Sequence, residues 1–273
     1  MIDVNAYLGH FAFRALRHNT ADGLLRLMDR KRIERALVSS ASSITYRSAH
    51  AGNEEIAADL ARHRDRLIGC AVLNPAYAGW RDDLRTCHEE FGMKALRLYP
   101  RWHNYKLTDE SCQELIQQAT RRGMAITIPL RVEDRRQQSW LVDIPDVAHA
   151  EIAAAVQAAP EARFLLMNGS GFAGSVLGRK NNGLPPNYAI EISLLTVELA
   201  NELGQLLQNL GEDRIVFGTG MPFHYPDPSL AKLEILDAPE SVKQKIRAGN
   251  AARILRLQLS RPSARRPRQS PPC

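Results

Sequence analysis

A strand-then-helix pattern repeated eight times, with no break in composition between repeats, is the feature that most restricts what this chain can become. Apolar stretches that read as strands lie at residues 2–8, 36–39, 67–73, 93–99, 125–130, 164–167, 188–192 and 215–217. Segments with helical spacing separate them at residues 21–30, 54–64, 79–91, 109–122, 148–159 and 196–210, and two more follow at 229–236 and 239–257. Turn-forming residues mark the joints: Asn74-Pro75 ends the third strand, Pro100 halts the fourth and Gly123 closes a helix. Strands that alternate with helices pair in parallel, and eight such units predict a (β/α)8 TIM barrel, an α/β fold of one domain. The length of 273 residues suits that fold, which needs about 250. The barrel is assigned to residues 1–257, and an Arg/Pro-rich tail at 258–273 is expected to be disordered.

Composition removes several classes of function. The charge of +6 suggests a nucleic-acid partner, but Arg261, Arg265, Arg266 and Arg268 all lie in the tail. Taking those four from +6 leaves +2 for the barrel. Aromatic residues make up only 6%, too few for a base-stacking surface, so no nucleic acid is expected as partner. No run approaches the roughly 18 apolar residues of a membrane span. The first residues do not read as a secretory leader. Cys70, Cys87, Cys112 and Cys273 form no C-x-x-C pair. A reduced, cytoplasmic protein is expected, with a homodimer left open.

Alternation within each strand indicates which side chains face inward. In the first strand, Ile2, Val4, Ala6 and Leu8 are assigned to the helices, and Asp3, Asn5 and Tyr7 to the interior. The same rule turns Arg97 and Tyr99 inward in the fourth strand, Thr127, Pro129, Arg131 and Glu133 in the fifth, and Glu191 in the seventh. Active sites of such barrels lie at the C-terminal ends of the strands. The predicted mouth therefore carries Asn5, Tyr7, Asn74, Arg97, Tyr99, Arg131, Glu133, Asn168, Glu191 and Thr219. Two inward arginines need partners. Glu133, Asp134 and Glu191 can pair with them, or Arg97 and Arg131 can clamp a substrate carboxylate or phosphate. His10, His103 and His224 follow the first, fourth and eighth strands. They can supply a general acid or base, or assemble a relocated metal site.

Three motifs carry a resemblance to a known family. They are the opening Asp3-Val-Asn5-Ala-Tyr7-Leu-Gly9, the segment Arg214-Ile-Val-Phe-Gly-Thr-Gly-Met-Pro-Phe223, and the closing Gly249-Asn-Ala-Ala-Arg-Ile-Leu255. Together they resemble the amidohydrolase-related family of metal-dependent barrel hydrolases. The resemblance runs from residue 1 to about residue 257. It implies hydrolase chemistry at a divalent metal, usually zinc. That metal is held by two first-strand histidines, by histidines after the fifth and sixth strands, and by an aspartate after the eighth. Here Asn5, Tyr7, Arg131, Asn168 and Gly220 occupy those places. Imidazole and carboxylate are the donors zinc prefers. The expectation is accordingly no cofactor, with a divalent metal as the lesser alternative.

The resulting functional reading is an amidohydrolase-like hydrolase or decarboxylase for a small anionic substrate. Arg97 and Arg131 would bind the anion. Glu133, His103 or His224 would act as acid or base, and Asn5, Tyr7, Tyr99, Asn168, Glu191 and Thr219 would contact the substrate. Two alternatives stand beside it: an inactive barrel that binds a ligand or partner protein, and a metal site built from the loop histidines. Gly169-Ser-Gly-Phe-Ala-Gly174 matches a dinucleotide fingerprint, but Gly178, Gly183 and Pro185-Pro186 break the helix such a site needs, so it reads as a loop. No nucleophile-elbow pattern is present.

Overall fold

The computed structural model describes residues 1–258, and the tail predicted beyond them lies outside the described residues. Eight parallel strands follow in chain order: β1 (Ile2–Leu8), β2 (Arg35–Ser40), β3 (Leu67–Val72), β4 (Ala95–Arg97), β5 (Ala125–Pro129), β6 (Phe164–Met167), β7 (Tyr188–Glu191) and β8 (Ile215–Val216). The ring closes through backbone bonds from Val4 N to Phe217 O (3.0 Å), Gly220 N to Asn5 O (2.8 Å) and Tyr7 N to Met221 O (2.9 Å). The helices are α1 (Ala21–Lys31), α2 (Ala49–Arg62), α3 (Trp80–Arg85), α4 (Glu110–Arg121), α5 (His149–Ala158), α6 (Glu202–Leu210), α7 (Asp227–Ile235), α8 (Glu240–Gln244) and α9 (Asn250–Leu255). This is the single-domain TIM barrel that the alternation predicts.

Burial sorts the side chains into two layers. Leu96, Leu98, Ile126, Ile128, Ile190 and Ile192 pack outward with the helices, as their alternation requires. Cys70, Ala95, Ala125, Leu165, Met167, Ala189 and Val216 fill the lower interior, where Ala251, Ile254 and Leu255 of α9 join them. Asn250 anchors that helix: its Nδ2 donates to Glu212 O (2.7 Å) and Ile215 O (2.8 Å). The closing motif thus seals the end of the barrel opposite the mouth.

Local chemistry moves two helix boundaries. α2 begins at Ala49, five residues before its predicted start, with Gly52 lying directly on the Ser40 and Ser43 side chains where a Cβ would clash. α6 begins at Glu202 and not at 196, because Asn201 caps it by accepting from Gly204 N (3.2 Å). The glycine-rich stretch 169–174 is a loop, in keeping with its sequence.

Asn53, fully buried in α2, holds that helix to β3. Its Nδ2 donates to Val72 O (2.8 Å) and its Oδ1 accepts from Val72 N (2.9 Å). Asn53→Ala would leave both buried backbone groups unsatisfied, and we expect a loss of about 2–4 kcal/mol in urea unfolding. A loss under about 0.5 kcal/mol would show that water replaces the amide there.

Candidate active site

The site begins with an irregularity in β1. Asp3 pairs with Ala36 and Ala6 with Val38, so Val4 and Asn5 both stand opposite the single residue Leu37. This bulge breaks strict alternation. Ile2 and Val4, assigned to the helices by sequence, join the interior cluster, while Ala6 and Leu8 do pack outward. Asp3, assigned to the interior, follows the orientation of Ala36 instead. Its buried carboxylate accepts from Asn5 N (2.8 Å), Thr219 N (3.1 Å) and Thr219 Oγ1 (2.6 Å). It therefore fastens the bulge to the segment that follows β8. Burial pushes its pKa up to about 7.

The bulge sends Asn5 into a buried polar floor. Asn5 Nδ2 donates to Asn168 Oδ1 (2.7 Å) and toward Glu191 Oε2 (3.4 Å). Asn168 takes a left-handed conformation (φ 50°) directly after β6, which asparagine tolerates better than most residues. Its backbone N donates to Glu191 Oε2 (3.2 Å), and its Nδ2 reaches Arg131 O (3.2 Å) and Tyr7 Oη (3.4 Å). Ser193 completes the cluster, with Oγ 2.8 Å from Glu191 Oε2 and 3.3 Å from Asn168 Oδ1. Gly218 must be glycine here, since a Cβ would strike the Glu191 side chain. Burial also raises the Glu191 pKa, against the Ser193 and Asn168 hydrogen bonds that lower it.

Arg97 lies beneath this floor, fully buried. Its guanidinium donates to Ser39 Oγ (2.8 Å), Thr127 Oγ1 (3.1 Å) and, more weakly, Val4 O within the bulge (3.4 Å). It also sits 4.7 Å from the Tyr7 ring centre. Among the described residues it forms no ion pair with a carboxylate. Tyr99 Oη is buried beside it, next to the Tyr7 hydroxyl and the guanidinium. Above, Tyr7, Phe223, Phe11 and Trp102 meet edge to face at 4.9–5.9 Å and cover the axial mouth.

Several sequence-predicted residues are not brought to this floor. Arg131 is paired with Asp146 (2.5 Å), not with Glu133, Asp134 or Glu191, and its side chain lies in the loop above. Glu133 is paired with Arg14 (3.2 Å). Thr219 spends both its N–H and its hydroxyl on Asp3, so it is a fastening and not a substrate contact. Asn74 closes a turn on Ala76 N (3.0 Å). His103 Nε2 lies 3.1 Å from Ser43 O, and His10 stays exposed. His224 alone reaches the edge of the floor. A Cβ on Gly220 would meet its ring at 2.5 Å and Asn168 Oδ1 at 3.4 Å, so that ring fills the space an aspartate would need. Burial lowers the His224 pKa to about 4, leaving it neutral, with Nε2 unpartnered. Among the described residues no three His, Cys, Asp or Glu side chains form a metal-binding group, so the loop histidines do not assemble the relocated site. Sequence reasoning passed over Ser193, although it follows Glu191 by two residues and so shares its strand face.

The polar floor lies at the C-terminal end of a parallel eight-stranded (β/α)8 barrel, the end at which barrels of this class carry their sites. The sequence profile of the amidohydrolase family (amidohydrolase 2) matches residues 8–257, and the chain belongs to that family. A search of curated proteins gave no match. Among solved structures, the chain is similar to 2,6-dihydroxybenzoate decarboxylase from Rhizobium, at 18% identity and a TM-score of 0.69, covering 94% of this chain and 99% of that one. A putative amidohydrolase from Staphylococcus aureus matches at 15% identity and a TM-score of 0.70, covering 94% and 100%. A dihydroxybenzoic acid decarboxylase from Polaromonas, crystallised with manganese and the inhibitor 2-nitroresorcinol, matches at 18% identity and a TM-score of 0.67, covering 86% and 85%.

That manganese corrects the expectation of a site without a cofactor, which weighed the chain against zinc alone. Zinc favours nitrogen and sulfur, whereas manganese takes carboxylate and carbonyl oxygen. The floor offers oxygen: the Glu191 carboxylate, Asn168 Oδ1, and Asn5 Oδ1, which is buried with no hydrogen-bond partner. In donor chemistry these residues fit a hard divalent cation and not a histidine-held zinc.

The Asp3 fastening has a pH signature. The folded chain holds the Asp3 proton to about pH 7, while an unfolded chain releases it near pH 4. The stability it contributes is therefore full below about pH 4 and lost as pH rises through about 7. Asp3→Asn removes that titration. Between pH 5 and pH 8, its urea-unfolding free energy should rise relative to the parent by roughly 2–3 kcal/mol. A difference that stays constant with pH would mean that Asp3 is ionised in the folded chain throughout.

Proposed function

We propose that this chain is an enzyme of the amidohydrolase family that decarboxylates or hydrolyses a small carboxylate-bearing substrate at the C-terminal end of the barrel. The observation that carries this reading is Arg97: a fully buried guanidinium with no carboxylate partner among the described residues. An uncompensated buried charge costs several kcal/mol, and a bound anion offsets that cost. The structural neighbours named above as dihydroxybenzoate decarboxylases support the same substrate class.

Arg97 acts as a positioning residue. It places fixed positive charge under Tyr7 and Asn168, where low dielectric strengthens it. Asn5, Asn168 and Glu191 would hold a manganese ion, which when bound would supply positive charge that polarises a substrate oxygen. Tyr99 Oη stands beside Tyr7 and Arg97, where it would orient the Tyr7 hydroxyl. Neutral His224, with Nε2 unpartnered, would offer that nitrogen for a hydrogen bond at the edge of the floor. The aromatic cover of Tyr7, Phe11, Phe223 and Trp102 keeps bulk water off the floor. Cys70, Cys87 and Cys112, all buried thiols without disulfides, suit a reducing cytoplasm.

A second reading, a ligand-binding barrel without catalysis, draws on one observation: Asn5, Tyr7, Arg97, Asn168 and Glu191 are all shut from solvent. The two are separated by assaying hydroxybenzoates and small amides or lactones with added manganese. We expect turnover of at least one carboxylate. Arg97→Met should lower kcat/KM at least 100-fold while the melting midpoint shifts by only a few degrees. Binding across the panel without any turnover would leave the second reading. Loss of stability with kcat/KM per folded molecule unchanged would make Arg97 structural.

A further inference from the structure

The polar floor is shut from solvent, but Ser193, which touches it, also lines an open groove. A groove of about 650 Å³ runs between the loops after β5, β6 and β7 and the helix α7. At its inner end stand Arg131, Ser170, Ser193 and Lys232. Ser193 Oγ is the same hydroxyl that touches Glu191 and Asn168, so the groove and the floor share a wall. The Lys232 ammonium donates to Ile192 O (3.1 Å) and Ser193 O, and among the described residues it forms no ion pair with a carboxylate. Glu191 and Glu202 act on its charge from beyond ion-pair distance, and the acids along the groove itself are turned elsewhere. Asp134 is held by Arg136 (2.7 Å), and Glu198 is exposed at the outer end, beside the neighbouring hollow under α6. Between the two ends the walls are apolar: Leu195, Val197, Pro228 and Ala231, with Leu199 and Ile235 exposed at the rim.

We propose that this lateral groove is the substrate-binding site, and that it takes an amphiphilic carboxylate with its acid group at Lys232 and Ser193 and its apolar body along Leu195 to Ile235. The inference rests on the reading that the chain acts on a small carboxylate. It adds that such a substrate reaches the floor from the side, between β7 and α7, and not down the barrel axis. A volume of hundreds of cubic ångströms, an apolar wall and one convergent polar end are the usual features of a small-ligand site. The long stem of Lys232 lets its charge sit over the end of β7 while the carbonyls of Ile192 and Ser193 orient it.

The probe is 8-anilino-1-naphthalenesulfonate, an apolar anion whose fluorescence reports binding, titrated into the folded chain and displaced with benzoate. Benzoate should displace it, and benzyl alcohol, of the same shape without the charge, should not. Lys232→Met and Ala231→Trp should each weaken probe and benzoate binding at least tenfold with cooperative unfolding retained. Phe11→Ala, which opens the axial cover, should change affinity less than twofold. The groove is ruled out if Ala231→Trp binds with parental affinity, if benzyl alcohol competes as well as benzoate, or if Phe11→Ala abolishes binding. Because these are binding measurements, a chain that binds benzoate here and turns nothing over loses the enzymatic reading and keeps the groove. A chain that turns over a carboxylate unaffected by Ala231→Trp does the reverse.

Discussion

The contact on which the rest depends is the buried carboxylate of Asp3. It collects three hydrogen bonds, from Asn5 N and from both donors of Thr219. A barrel must join its last strand to its first, and β8 is only two residues long. Asp3 supplies part of that join with side-chain bonds, beside the backbone bonds from Gly220 and Tyr7. The same bonds hold the bulge at Val4 and Asn5. Closure of the fold and placement of Asn5 are thus one event. Without the bulge, Asn5 could still face inward, but Val4 would not share the interior with it.

From that bulge a continuous polar path crosses the upper barrel. It runs from Arg97 past Tyr7 to Asn168, Asn5 and Glu191, and out through Ser193 toward Lys232. Positive groups stand at both ends, with a single carboxylate between them. Such an arrangement is costly inside a protein unless an anion completes it. On the proposed reading, the groove beside Lys232 is where an acid group would enter. Phe223 and Phe11 pack over Tyr7 at the barrel axis.

The replacements at the family's metal positions are mutually consistent when the side chains are seen together. Gly220 is small because the His224 ring fills the space beside it. Asn168 and Asn5 hydrogen-bond each other, which two neutral amides can do and two imidazoles bound to one metal would not. Tyr7 packs on Phe223 and covers Arg97. These residues form one repacked floor of oxygen donors.

How much of this the sequence carried can be judged residue by residue. The order of strands, their parallel pairing, the outward faces of β4, β5 and β7 and the inward turn of Arg97 and Glu191 followed from alternation, because a strand's period of two is a local property. Alternation failed at Asp3, Ile2 and Val4, because a bulge is set by pairing with β2 and not by β1 alone. It also could not say that Arg131 would find Asp146, that Glu133 would find Arg14, or that Thr219 would be consumed by Asp3. Those partners lie 15, 119 and 216 residues away in the chain. The sequence by itself determined the barrel and the chemistry available at its rim. Which of those groups are free to meet a ligand was decided only in three dimensions, because a charge's availability depends on the neighbour that folding brings to it.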